Sequence, residues 1–420
     1  MNETVVQRLL ATFEVSHDQL DPIYELAKHA REQSHPKLGY FLSQHILGLV
    51  AKGRGRLSNL HGVLYELTIC CWYAGKVVEG RLACDRLLFD RSVDGGIKGQ
   101  VHVNSRWYLE PLLVEDSFRV PVVCPLLTDG GPTTSSETWR PLNPGIFRIG
   151  DQVVVNCRCV NYNQAGTSYT SLHSDGKIRT RNFLIYCDRE WKATRQIEVQ
   201  DHLEIPRYPK WIEGYEDCRF CVLPTGELVF SSVTFHLTPE YLAQIAVGRV
   251  GADGELTSIQ RIRGPVPGRC EKNWLPFVYR DELCFIYLYD PFVVLKPLPT
   301  GSCDVVHVQP SPVDLSRFRG SAAPIEFDGG LLLIIHEVIF AANSERTYVH
   351  RFVWLDLAQT PSIQKISHAW YLREPGIEFC SGMMRVGEDI YVSAGLKDRE
   401  AWIFRVAVGT VRGMLGVVPG

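Results

Sequence analysis

Gly214-Tyr215-Glu216-Asp217-Cys218-Arg219-Phe220 places two carboxylates and a guanidinium at the mouth of an apolar run. Two acids beside a base can move protons onto or off an oxygen, provided the fold holds them in a cleft. The plainer reading is an ion pair at a strand end, because residues two apart on a strand share a face. Pro224-Thr225-Gly226 and then Leu228-Val229-Phe230 follow, so the stretch reads as a hairpin with its charges at the open end.

Four other places repeat this plan of strand, short Gly- or Asp-rich turn and longer apolar strand. They are Asn143 to Val155 through Gly150-Asp151, Glu271 to Ile286 through Arg280-Asp281, Gly320 to Ile335 through Asp328-Gly329-Gly330, and Phe379 to Val392 through Gly387-Glu388-Asp389. Propeller blades repeat at about 40–50 residues, and longer, uneven spacing implies inserted loops. The expected fold class is mainly β, a five-bladed β-propeller preceded by a small all-α domain. In a propeller the first strand of every blade lines the axis, so equivalent residues converge. That would gather Asn143, Glu216, Asp217, Arg219, Glu271, Lys272, Asn273, Trp274, Ser321, Cys380 and Ser381 in one cleft, the default place for a binding site.

The N-terminal residues have helical periodicity. Asp21-Pro22 reads as one helix start, Pro36 as another, and Ser58 as the cap of a third that ends at Ala74-Gly75. Tyr65, Trp72-Tyr73, Gly75, Gly80 and Ala83 resemble one tetratricopeptide unit, a surface for a protein partner or for a homo-oligomer. The expected domains are a helical one over 1–93, a linker and loop-rich connector over 94–139, and the propeller over 140–420. Thr128 to Ser136 reads as a surface loop able to act as a lid.

Composition removes several functions. Of 420 residues, 45% are hydrophobic and 22% charged, and the formal charge of −3 comes without a long run of one sign. A nucleic-acid binder would need a basic face, and no apolar stretch reaches the ~20 residues of a membrane span. The start, Met1-Asn2-Glu3-Thr4, lacks a signal-peptide pattern, and 13 cysteines without regular spacing suit reduced thiols, so the expected location is cytoplasmic. Cys218 and Cys221 would point to opposite faces of a strand, so no metal is expected, and no fingerprint calls for a cofactor.

Carboxylates, cations, amides and aromatic faces in one cleft suit a carbohydrate. Trp274 and Tyr289 would supply faces, and Asp290, Asn273 and Arg219 hydroxyl contacts. Asp217 or Glu216 would be the acid aimed at a glycosidic oxygen. Inverting hydrolysis needs a second carboxylate about 6.5–9.5 Å away to activate water, for which Glu271, Glu337 and Asp398 are candidates. If phosphate or a nucleotide sugar takes part, Lys272, Arg219, His336 and Arg181 are the candidate cations.

The segment Glu216-Asp217-Cys218-Arg219 resembles the Glu-Asp-Pro-Arg motif of glycoside hydrolase family 130, five-bladed propellers that include mannoside phosphorylases, mannosidases and related mannosyltransferases. Glu271-Lys272-Asn273-Trp274-Leu275-Pro276-Phe277 is similar to that family's Lys-Asn/Asp segment, and Gly330 to Glu337 to its Gly-Trp-Leu…Tyr-His-Gly strand. The resemblance covers roughly residues 140–410. It implies an inverting enzyme on mannose-like sugars, with Asp217 as general acid and Lys272 in an anion site. Cys218 stands where the family has Pro, and Tyr287-Leu288-Tyr289-Asp290-Pro291 where its phosphorylases carry a His. Transferase, phosphorylase, inverting hydrolase and a non-catalytic glycan- or protein-binding propeller therefore remain the readings to separate.

Overall fold

The computed structural model describes residues 8, 10, 11, 16, 19–127, 138–165, 168–340 and 345–417. The expected lid, Thr128 to Ser136, lies outside the described residues. The chain divides into two compact units, Met1–Glu110 and Pro111–Gly420.

The first unit carries helices Leu20–Glu32, Pro36–Ala51, Leu60–Ala74, Val77–Phe89 and Gly95–Asn104. Three details depart from the sequence reading. Asp21 does not cap its helix; its carboxylate accepts from the backbone N–H and hydroxyl of Ser58, each at 2.9 Å, and so ties two helix starts together. The cap of Leu60–Ala74 is Asn59, which accepts from the Gly62 N–H at 2.7 Å. The stretch after residue 93, expected as linker, opens a helix because the Asp94 carboxylate accepts from the N–H groups of Gly96 and Ile97.

The second unit is mainly β, with its sheets in a propeller-like arrangement. Sheet 1 comprises Arg140–Ile149, Gln152–Val160, Ile178–Cys187 and Ala193–Glu198. Sheet 2 comprises Glu216–Val222, Leu228–Thr234, Gln244–Val250 and Leu256–Ile262, and sheet 3 Leu275–Tyr279, Glu282–Tyr289, Phe292–Pro297 and Cys303–Gln309. Sheet 4 is built on Arg319–Gly320, Ile325–Phe327, Gly330–Phe340, Arg346–Asp356 and Ser362–Ser367. Sheet 5 comprises Glu378–Val386, Asp389–Leu396 and Glu400–Ala407, and its outermost strand is Asp116–Arg119. Each hairpin read from the sequence is the inner hairpin of one sheet. Asp116–Arg119 falls where a loop-rich connector was expected. It pairs antiparallel with Trp402–Arg405 and packs Phe118 on Trp191, centroids 5.3 Å apart.

Apolar cores lie between sheets rather than on one side of each. Sheets 1 and 5 share one that holds Ile146, Val155, Ile185, Met384 and Ile403, and sheets 1 and 2 another around Phe147, Phe220 and Phe230. Sheets 2 and 3 share a third around Val233, Trp274 and Phe285, and sheets 4 and 5 a fourth around Leu332, Phe352, Val392 and Phe404. A sheet covered on both faces needs apolar residues at consecutive positions, which is why Leu332-Leu333-Ile334-Ile335 is apolar throughout and fully buried.

The inner strands are bound to one another by side chains. Ser231 donates to the Trp274 carbonyl at 3.4 Å, Ser321 to the Cys380 carbonyl at 2.6 Å, and Ser381 to the Pro144 carbonyl at 2.9 Å. Two glycines allow the approach. A Cβ on Gly320 would lie 2.4 Å from the Asn273 carbonyl, and one on Gly382 2.5 Å from the Ile146 nitrogen. A cavity of about 490 Å3 is lined from every sheet, by Ile146, Phe220, Phe277, Pro324 and Met383 among others.

Candidate functional site

The inner strands begin irregularly, and the irregularity aims the polar residues. Register shifts lie between Leu142 and Gly145 and between Glu216 and Arg219. Asn143, Asp217 and Asn273 share a left-handed backbone, with φ of 43°, 52° and 63°. Asn and Asp tolerate that conformation far better than larger or branched residues do, and a bulge re-aims the side chain it carries.

Arg158, on the second strand of sheet 1, organises the cluster. Its Nη1 donates to Asp217 Oδ1 at 2.8 Å and its Nη2 to Glu216 Oε1 at 2.7 Å. Asn143 Nδ2 donates to the same Asp217 oxygen at 2.8 Å. The Arg158 side chain is 5% exposed and that of Asp217 18%, so the carboxylate faces an opening while its partner is sealed behind it. Burial pushes Asp217 up, but Arg158 and Arg219 more than offset it, so the carboxyl lies below the ordinary range and is ionised.

Asp398 behaves in the opposite sense. It sits in the turn after Asp389–Leu396, with φ of 50°. Burial raises its carboxyl; Arg158 and Arg346 pull it down, Asp217 and Glu216 push it up, and the net shift is upward. Asp398, Tyr162, Asn163, Gln164 and Ile377 line a cavity of about 230 Å3. That is below the ~300 Å3 at which drug-sized pockets begin and suits one small polar ring. Tyr162 of that lining stands edge to face with Tyr169, centroids 5.2 Å apart. Three buried polar atoms of the inner strands and their neighbours, Asn143 Oδ1, Tyr289 Oη and His336 Nδ1, have no hydrogen-bond partner among the described residues.

Several expected contacts are not available. Trp274 is 1% exposed, packs edge-on to Tyr287, and donates its Nε1 to Glu271 at 3.1 Å, so it offers no stacking face. Glu271 also accepts from the Tyr287 hydroxyl at 3.2 Å; burial raises it, and it serves sheet 3 away from Asp217. Ser321 is spent on the Cys380 carbonyl. Arg219 is 2% exposed and works as a clamp: Nε donates to the Ser321 carbonyl at 2.8 Å, Nη1 to the Asp217 carbonyl at 3.1 Å, and Nη2 to Asn273 Oδ1 at 3.1 Å. Arg181 is paired with Glu198, at 2.6 Å through Nε, and lies over Trp139. Glu337 meets Arg317 at 3.3 Å, and Asp290 accepts from the Leu315 N–H at 3.3 Å. His336 is buried against Tyr348, and burial holds it neutral. Lys272 is exposed, 5.7 Å from the Phe235 ring centroid.

The structure therefore brings together Glu216, Asp217 and Asp398 and adds Arg158, Asn143 and Tyr162. Arg158 had a signal in the sequence. It is a lone arginine within Val153-Val154-Val155-Asn156-Cys157-Arg158-Cys159-Val160, and a charge in such a strand needs a carboxylate partner.

Gly395 seats this arrangement. A Cβ there would lie 2.1 Å from Asn143 Oδ1 and 2.7 Å from the Asn143 nitrogen. Gly395→Ala is expected to displace Asn143 from Asp217 at a cost of about 1–3 kcal/mol. Urea unfolding would read the loss of stability.

No family model matches the sequence, and no curated protein does. Solved structures similar to this chain include a beta-1,2-mannobiose phosphorylase from Listeria innocua, 12% identical, with a TM-score of 0.48 over 71% of this chain and 99% of that one. A mannose phosphorylase from Leishmania mexicana in complex with a phosphate ion is 12% identical, with a TM-score of 0.43 over 68% and 89%. A GDP-Man-dependent mannosyltransferase from the same organism is 11% identical, with a TM-score of 0.44 over 70% and 91%. These are proteins of the kinds that the sequence resemblance names.

Proposed function

We propose that this protein is a carbohydrate-active enzyme that transfers a glycosyl group with inversion, as a transferase or phosphorylase on a mannose-like sugar. The observation that carries the reading is a pair of interacting carboxyls beside Arg158, which donates to Asp217 at 2.8 Å, pushed in opposite directions: Asp217 down by Arg158 and Arg219, Asp398 up by burial. Such a divergence separates a base from an acid. Asp217, ionised at rest, would take the proton of the attacking acceptor hydroxyl. Asp398, whose carboxyl burial shifts toward the protonated form, would in that form give a proton to the oxygen that leaves the opposite face of the sugar. This exchanges the role that the family resemblance implies for Asp217 when the same bond is broken, as microscopic reversibility requires. The mannose-like class follows from the sequence resemblance.

In this reading the five sheets are blades of one propeller. The cavity lined from all five supports that, as do the hydrogen bonds between inner strands. The helices form a separate tetratricopeptide-like domain that offers a surface to a protein partner or a second copy. A cytoplasmic location is part of the same proposal; among the described residues no helix is long and apolar enough to cross a membrane.

The paired carboxyls equally favour a second reading, inverting hydrolysis, with water in place of the acceptor. A screen with nucleotide sugars, sugar 1-phosphates, and β-mannosides with and without phosphate, followed by mass spectrometry, separates them. Product that needs a phosphoryl-bearing donor or phosphate itself supports transfer. Cleavage by water alone supports the hydrolase, and silence throughout sinks both.

The rate should fall as pH rises through the raised Asp398 ionisation, because only its protonated form donates. Arg346 stabilises the Asp398 anion, so Arg346→Gln is expected to move this basic limb to higher pH. Profiles of kcat/KM against pH for the two proteins check the direction.

A further inference from the structure

A second cavity, of about 410 Å3, adjoins the one that holds Asp398, and the two share Ile377, Lys397 and Arg399. Its wall carries four cations, Arg119, Arg373, Lys397 and Arg399, and three carboxyls, Glu374, Glu378 and Glu400. The carboxyls are committed. Glu374 is paired with Lys397, and Glu400 meets Arg119 at 3.2 Å and accepts from Trp402 Nε1 at 2.8 Å. Glu378 is 2% exposed and accepts three backbone N–H groups, from Leu372, Arg373 and Glu374, at 2.6, 2.8 and 3.0 Å.

Two guanidiniums are left over. Among the described residues neither Arg373 nor Arg399 has a carboxylate within ion-pair reach. The Arg373 guanidinium lies 3.9 Å from the Trp402 ring centroid. Stacking on indole fixes the plane of the fork without neutralising it, which leaves its N–H edge for a ligand. Arg399 follows Asp398 directly and lines both cavities, so one of the unpaired charges lies beside the cavity of the group placed at the leaving oxygen.

We propose that this basic cavity is the phosphoryl subsite of the sugar donor. It takes the phosphate of a sugar 1-phosphate or the diphosphate of a nucleotide-activated sugar, while the sugar ring occupies the neighbouring cavity. The inference rests on the glycosyl-transfer reading. It differs from the anion site expected around Lys272, Arg219, His336 and Arg181: the donors of Arg219 and Arg181 are consumed by carbonyls, an amide and a carboxylate, and burial holds His336 neutral. Two planar forks match a multiply charged phosphoryl group through bidentate hydrogen bonds.

The test is equilibrium binding to the full chain by calorimetry, with inorganic phosphate, pyrophosphate and GDP as probes. Each guanidinium lost should weaken binding about tenfold, so Arg373→Ala/Arg399→Ala should weaken the best probe about a hundredfold. Tighter pyrophosphate and GDP than phosphate would assign the subsite to a nucleotide-activated donor, and phosphate at least as tight to a sugar 1-phosphate. Equal affinity in wild type and double variant, or no anion binding at millimolar concentration, would overturn the proposal. Arg399→Glu, a single change at an exposed turn, carries the same test if the double variant does not fold. Because binding is read without turnover, the subsite and the glycosyl-transfer reading can fail separately. Anion binding lost in the variant with no glycosyl product in any screen keeps the first and sinks the second.

Discussion

In the proposed mechanism Asp217→Asn is expected to lower turnover about a thousandfold and to leave the fold standing, because it removes a proton acceptor while keeping the shape and one oxygen of the side chain. Removal of a general acid or base costs about 10²–10⁴-fold. The fold survives for a local reason. The backbone carbonyl of Asp217, rather than its carboxylate, holds Arg219, and Arg158 retains Glu216 at 2.7 Å. Urea unfolding should show at most about 2 kcal/mol lost, the order of one charge-assisted hydrogen bond. A propeller that only binds glycans makes the contrary forecast, with affinity retained and no activity to lose. Full turnover in Asp217→Asn would end the assignment of Asp217 to the chemistry, whichever donor the screen identifies.

The architecture was legible at the level of the hairpins. Turn residues such as Pro224-Thr225-Gly226 and Asp328-Gly329-Gly330 mark them locally, and the apolar runs beside them tell that both faces are covered. The outermost strand of sheet 5 was not legible. Asp116–Arg119 has four residues and no turn partner nearby, and it pairs with a strand that begins 281 positions further on, from Arg119 to Glu400. Asp217 and its neighbours were legible as a charged mouth. The facing of individual side chains was not, because register shifts fall at the ends of the inner strands where the site residues lie. A slip of one residue exchanges the faces of a strand. That is why Arg219 became a clamp between strands; Trp274 and Ser321, expected in the cleft, lie just beyond the paired strands Leu275–Tyr279 and Arg319–Gly320 and point into packing. Asp398 was one of three equal candidates in the sequence, and only burial beside Arg158 sets it apart from Glu271 and Glu337.

Arg158→Met should be the most damaging single change to stability, and its rescue separates structure from chemistry. The guanidinium is sealed under Glu216 and Asp217, and although burial works against its charge, the two carboxylates hold it protonated. Methionine fills similar space but leaves two like charges side by side with little water. Breaking a buried pair by removing one partner costs about 3–5 kcal/mol. With Arg158 gone, only Arg219 and Asn143 would offset burial at Asp217, and its carboxyl would shift upward. Neutralising the acids as well, in Arg158→Met/Glu216→Gln/Asp217→Asn, removes the repulsion and should return most of the lost stability, because apolar or neutral replacement of a whole buried ion cluster is often tolerated. Turnover should not return, since the triple variant has neither the ionised Asp217 nor the cation that kept it so. Urea unfolding of the wild type, Arg158→Met, Glu216→Gln/Asp217→Asn and the triple variant measures the coupling between Arg158 and the acids, and activity measured alongside shows whether it is separable from catalysis. Arg158→Met at wild-type stability would mean that the acids find other partners and that Arg158 does not organise the site.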